Sequence, residues 1–175
     1  MGKIAADFAR VAIGGSMGFL EWLQGTWLGV LVAESLWGYP IFETIHTLGM
    51  AMMIGSLGLI NLRVLGFKPE LPLLDTRQLL PLAWIGFTLN AISGSALFTS
   101  DAVYFWGKYT FRIKMILIIL GGINAALLGG RVFREAASGA PAHGPVLAST
   151  KWIAFLSLVF WFGAVIAGRL IAYTP

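Results

Sequence analysis

The chain carries no Asp, Glu, Lys or Arg between Glu43 and Arg63, between Arg77 and Asp101, between Lys114 and Arg131, or between Lys151 and Arg169. Each gap is close to the ~20 mostly apolar residues that a helix needs to cross the hydrocarbon core of a bilayer. A helix on the surface of a soluble protein would present a charged face within that length, and none of these does. The chain therefore reads as an all-α integral membrane protein, with spans over residues of about 41–65, 78–99, 112–133 and 150–172. Short connections between consecutive spans predict an antiparallel four-helix bundle.

Composition narrows the function classes. With 58% hydrophobic and 11% charged residues the chain is far from a soluble domain. Its 175 residues hold the spans, short loops and one extra amphipathic element, so 1–175 reads as a single membrane domain. The net charge of +4 is spread over span ends, where basic side chains anchor to head groups, and does not point to nucleic acid. The expected partners are the lipid bilayer and other membrane subunits or further copies of the chain. There is no Cys, which excludes disulfides, iron–sulfur clusters and thiolate metal sites within the chain. Asp7 stands between Lys3 and Arg10 with no clean cleavage site after an apolar core, so the N-terminus is expected to be retained.

Residues 19–37 mix Glu21, Gln24 and Glu34 with Trp22, Trp27 and Trp37. Indole suits the head-group region, so this segment is predicted to be an interfacial helix lying along the membrane, with a fifth span as the alternative. Gly38-Tyr39-Pro40 is expected to turn the chain inward, and Gly66-Phe67-Lys68-Pro69 to end the first span. Asp75 or Thr76 is expected to cap the second span. Residues 100–110 read as an aromatic turn, and 138–145 as a Gly-Ala-Pro loop containing His143. Gly121, Ala125 and Gly129, and likewise Gly122, Ala126 and Gly130, are spaced for close helix packing; Ala164 and Gly168 repeat the spacing. Arg63, Lys68, Arg77, Arg131, Arg134 and Lys151 fall at the first and third loops, which favours cytoplasmic loops there and periplasmic termini.

The chemistry rests on the few polar groups inside the spans, because ionisable residues there are costly. Glu43 and His46 form Glu-x-x-His and share one helix face. His46 lies about six residues, roughly 9 Å, into its span. In an antiparallel bundle Arg112 and Lys114, Arg169, and Ser93 and Ser95 come to the same leaflet. Glu43, His46, Ser95, Arg112, Lys114 and Arg169 thus form the candidate site. Three readings fit it. His46 can ligate the iron of a b-type haem, with Arg112, Lys114 or Arg169 pairing with propionates. The same groups can hold a quinone by hydrogen bonds. Or they form a structural network in which Glu43 neutralises Lys114 or Arg169 and His46 bonds across helices. With only two His in the chain, bis-His ligation is not expected, and Met50 sits one turn from His46 on the same helix. A di-iron site is excluded, because it needs a second Glu-x-x-His and two more Glu. Asn61, Arg63, Arg77 and Arg131 read as a head-group cluster at the other leaflet. Asn90 and Asn124 are expected to bond to each other.

The blocks Phe19-Leu20-Glu21-Trp22-Leu23, Glu34-Ser35-Leu36-Trp37-Gly38-Tyr39-Pro40, Glu43-Thr44-Ile45-His46-Thr47-Leu48-Gly49 and Asn61-Leu62-Arg63-Val64-Leu65-Gly66 resemble a bacterial family of small four-span membrane proteins grouped as a domain of unknown function. Phe111-Arg112-Ile113-Lys114 fits it as well. The resemblance implies a bacterial inner membrane and a shared fold. The order of His46, Arg63 and Lys114 is also remotely similar to the haem-binding protoporphyrinogen oxidases and the copper-resistance type of four-helix membrane domain. The leading functional expectation is a subunit that binds haem b or interacts with quinone in electron transfer, with His46 as the metal ligand. The alternative is a non-catalytic accessory or scaffold subunit of a larger membrane complex.

Overall fold

The computed structural model describes residues 17–137 and 146–174, with the backbone alone for 133–137. The expectations for residues 1–16, for the 138–145 loop with His143, and for the side chain of Arg134 lie outside the described residues. All regular structure among the described residues is helical. Four segments, Gly38–Leu65, Leu73–Ser100, Tyr109–Val132 and Ala148–Tyr173, are long and apolar enough to cross a membrane.

The interfacial segment is two short helices rather than one. Helix α1 covers 17–24 and α2 covers Trp27–Glu34, broken at Gly25-Thr26. Thr26 explains the break, since its Oγ1 donates to Leu23 O (2.6 Å) and accepts from Gly29 N (3.3 Å), ending one helix and capping the next. Neither piece is long enough to cross a bilayer, so the fifth span is not formed. Helix α2 buries Val32 against Ala96 and Leu97. Gln24 Nε2 donates to Asp101 Oδ1 (3.0 Å), tying α1 to the far end of the second span.

Helix α3 (Gly38–Leu65) begins at Gly38, whose N–H is taken by Ser35 Oγ at 2.9 Å, so Pro40 sits inside the first turn. It ends as expected at Gly66, with φ of 106° and Phe67 N–H returning to Leu62 O at 2.9 Å. The connection that follows is a 3-10 segment, Leu73–Leu79, which runs into α4 (Leu80–Ser100). Neither Asp75 nor Thr76 caps α4. Thr76 Oγ1 instead donates to Leu73 O within the 3-10 turn (2.6 Å). The aromatic turn is a short helix, α5 (Ala102–Gly107). Helices α6 (Tyr109–Ala137) and α7 (Ala148–Leu170) follow, and a 3-10 turn, Ile171–Tyr173, ends the described chain.

Helix α3 packs mainly on α4 and α6 mainly on α7, and α3 against α7 joins the two pairs. Along α3 and α4 the facing residues are Gly49 with Asn90 and Gly86 with Met53; along α6 and α7 they are Gly121 with Trp161 and Lys114 with Gly168. In each pair the numbers rise on one helix as they fall on the other. A Cβ on Gly86 would lie 2.6 Å from Met53 N, and one on Gly49 would lie 2.9 Å from Gly86 O, so the two backbones touch. The stripes on α6 are used only in part. Gly121 receives the Trp161 ring, whereas among the described residues nothing lies within 4 Å of a Cβ at Gly122 or Gly129.

The polarity is inverted relative to a soluble protein. Trp84, Ile92, Ile116, Ile119, Ile123, Leu127, Phe162 and Ile166 are exposed, while Ser56, Asn61, Ser93, Asn124, Thr150 and Ser157 are buried. An apolar outside of this extent does not suit water. The expected head-group cluster is also divided. Arg131 is exposed, but Arg63 is buried and folds back, donating from Nε to Leu71 O (2.6 Å) and from Nη2 to Pro69 O (3.1 Å). It fastens the loop after α3, because the carbonyls there have no helical partners. Asn61 points inward to Ser157 rather than outward to head groups.

Candidate functional site

A cleft of about 540 Å³ opens at the end of the bundle where α3 and α6 begin and α4 and α7 finish. That volume falls within the roughly 300–1,000 Å³ of small-molecule sites. Glu43, His46, Thr47 and Met50 line it from α3, Lys114 from α6, and Gly168 and Arg169 from α7. Phe98, Tyr104, Phe105 and Phe111 form an aromatic wall. Phe98 stacks on Phe111 with centroids 5.2 Å apart and an interplanar angle of 11°, and Phe105 leans on Phe111 at 5.9 Å. This stack joins α4 to α6 across the cleft, where their backbones stay apart. Lys108 Nζ donates to Thr174 O (2.6 Å) and Thr110 Oγ1 pairs with Thr174 Oγ1 (2.9 Å), so Thr174 is latched beside it.

The placement of His46 is the most specific feature. Its Nδ1 lies 3.1 Å from Asn90 O and 3.2 Å from Ser93 Oγ. Asn90 O can only accept. Ser93 Oγ–H is already directed at Leu89 O (2.6 Å), so that oxygen too accepts. Nδ1 therefore carries the proton, and Nε2 keeps its lone pair. Among the described residues no hydrogen bond is made to Nε2. Asn90 reciprocates, because its Nδ2 donates to His46 O (2.9 Å). The ring lies over Gly94, where a Cβ would come 2.9 Å from its Cε1. Asn90, Ser93 and Gly94 form one face of α4 by their i, i+3, i+4 spacing and together make the seat of the imidazole.

Of the six residues expected to converge, Glu43, His46, Lys114 and Arg169 line the cleft. Ser95 and Arg112 do not: both are exposed, and neither is in its lining. Helix geometry explains both departures, since a residue two positions away is turned by about 200°. Ser93 and Lys114 face inward, so Ser95 and Arg112 face outward. The ion pairs of the structural reading do not close, as no contact within 4.0 Å joins Glu43 to Lys114 or Arg169 among the described residues. Its other part, a cross-helix bond from His46, is present. Lys114 has its aliphatic stem against Gly168, with Nζ 3.3 Å from where a Cβ would sit. The expected Asn90–Asn124 bond is absent, because α4 packs on α3 and not on α6.

Depth along the helices pointed to His46 and Lys114. The roles of Asn90 and Gly94 were missed, although their spacing with Ser93 was the available signal. The described residues contain no group of three or more His, Asp or Glu able to hold a bare metal ion. What the cleft offers is one oriented imidazole, two cations, one acid and an aromatic wall. No protein-family model, curated protein or solved structure matches this chain.

Proposed function

We propose that the chain is a four-span antiparallel membrane subunit whose cleft binds haem b through His46. The observation that carries this reading is the fixed tautomer. Nδ1–H is held by a backbone carbonyl of α4, which directs the basic Nε2 lone pair to a ligand and raises its donor strength. The donor set fits haem. The imidazole suits iron, Lys114 and Arg169 suit propionates, and Phe98, Phe105 and Phe111 suit a flat apolar macrocycle. Haem bound there would supply one-electron chemistry. Glu43 at the mouth would offset the excess of positive charge when propionates are absent. Met50 shares a helix with His46 and is one turn away, so His46 is the residue of this set that would hold the iron.

A second reading, quinone, is favoured by the pairing of an acceptor and a donor in one cleft. His46 Nε2 can accept from a hydroxyl, and the Lys114 ammonium can donate to a carbonyl. The membrane assignment rests on the apolar exterior, and the distribution of Lys and Arg supports a cleft in the leaflet opposite the first and third loops, which in a bacterial inner membrane would be the periplasmic one.

The test is the visible spectrum of the purified protein titrated with haemin. A Soret band that saturates at one haem per chain and is lost in His46→Ala supports the haem reading. A colourless wild type that carries an extractable quinone, absent from His46→Ala, supports the second. A protein that binds neither is an accessory subunit, and the cleft reading fails.

A further inference from the structure

A second polar region lies beneath the cleft, between α3, α6 and α7. Asn61 Nδ2 donates to Ser157 Oγ at 3.0 Å, which sets α3 level with α7 at that height. The Trp161 ring meets Gly121, so Asn124, almost one turn along α6, comes level with Ser157. Trp161 stands about 6 Å along α7 from Ser157, four residues on and so on the same face of that helix. Asn61, Ser157 and Asn124 thus share one polar layer, with Trp161 one turn above it.

These side chains are deeply buried, with exposures of 1% for Asn61, 7% for Asn124 and 4% for Trp161. Yet Asn61 Oδ1, Asn124 Oδ1 and Trp161 Nε1 have no hydrogen-bond partner among the described residues. Exchanging N and O of Asn61 does not help, since it turns an unpaired acceptor into an unpaired donor. Three such groups in one apolar interior are costly, and lipid cannot satisfy them.

We propose that this three-helix interior is a water-binding site, in which ordered water bridges Trp161 Nε1 to the side-chain oxygens of Asn61 and Asn124. The chemistry of the set selects the ligand. Indole N–H can only donate and an amide oxygen can only accept. A cation would leave the indole unpaired, and an anion would leave the amide oxygens unpaired. Water does both, and internal waters typically make about three such bonds. The site also has a direction. Ala164, almost one turn beyond Trp161, lines the cleft, so the bound water lies below the cleft floor on the α7 side. This holds whether the cleft takes haem, quinone or neither.

The experiment is X-ray hydroxyl-radical footprinting of the full chain in nanodiscs, in ¹⁸O water, read by mass spectrometry. Trp161 is expected to take up ¹⁸O at a rate comparable to the exposed Trp27, and the Asn124→Leu variant to reduce that labelling severalfold. Trp161 inert at doses that fully modify Trp27 overturns the proposal, and this wild-type arm decides the matter even if the variant does not fold. Thermal unfolding of Asn124→Leu gives an independent sign. Removing a member of a bridged network lowers the midpoint, whereas removing an unpaired dry carbonyl raises it, and a raised midpoint also overturns the proposal.

Discussion

The α3–α4 seam and the α6–α7 seam solve helix packing in opposite ways. In the first, Gly49 and Gly86 bring backbone against backbone, and the polar side chains at the contact, His46, Asn90 and Ser93, satisfy one another. In the second, Gly121 receives a ring, Trp161, and Trp161 Nε1 and Asn124 Oδ1 have no hydrogen-bond partner among the described residues. The first seam has one low-energy arrangement, because hydrogen bonds and steric contact agree. The second is held by the shape of a large side chain set against a glycine. His46, the imidazole proposed to orient a ligand, sits on the first seam, and Lys114, with its flexible stem, on the second.

Substitutions at the glycines separate the two seams most strongly. Gly86→Val places a side chain on Met53 N and Gly49 O, where only backbone could move. It is expected to cost at least the ~1–3 kcal/mol of an overpacked core, read as a large fall in the thermal unfolding midpoint. Gly121→Ala meets only the Trp161 ring, at 3.1 Å, and is expected to cost clearly less than Gly86→Ala. Equal costs would show that the seams are not mechanically different.

Gly94→Ala is the next largest effect, and it falls on binding rather than stability. The added methyl would stand 2.9 Å from His46 Cε1, and the imidazole is the group that gives way. Haem affinity is expected to fall about tenfold or more with a small change in midpoint, measured by haemin titration; that tenfold corresponds to about 1.4 kcal/mol. Asn90→Ala removes one interhelical hydrogen bond, worth about 0.6–1.7 kcal/mol in membrane helices, and leaves Asn90 O in place for His46 Nδ1. It is therefore expected to lower the midpoint modestly while binding persists. Loss of binding without loss of stability in Asn90→Ala would mean that the side chain, not the carbonyl, sets the ring.

Much of this arrangement was legible in the sequence, for a simple reason. Charge-free runs mark spans, and counting residues at 1.5 Å each gives depth, so the sequence alone puts Glu43, His46, Lys114 and Arg169 at one height. Rotation about each helix axis was not legible. Spans that are apolar all round have no solvent face to reveal which side turns inward, so Ser95 was grouped in place of a role for Asn90, and Arg112 was grouped with Lys114. Neighbour choice was equally hidden. Asn90 and Asn124 share a polar character and lie at mid-span, but α4 packs on α3 and α6 on α7, so Asn90 answers His46 and not Asn124. Local propensity erred at the loops. Thr26 splits 19–37 by capping, and Thr76 spends its hydroxyl inside a 3-10 turn.

The most direct measurement is ¹⁵N spectroscopy of histidine-labelled protein in nanodiscs. The chain has two His, and His46→Ala assigns them. The expected result is a His46 locked as the Nδ1–H tautomer, with an unprotonated Nε2 whose resonance shifts or broadens away when haemin is added. A His46 proton on Nε2, or a ring averaging between tautomers and unmoved by haemin, would contradict an imidazole held by α4 for a ligand in the cleft.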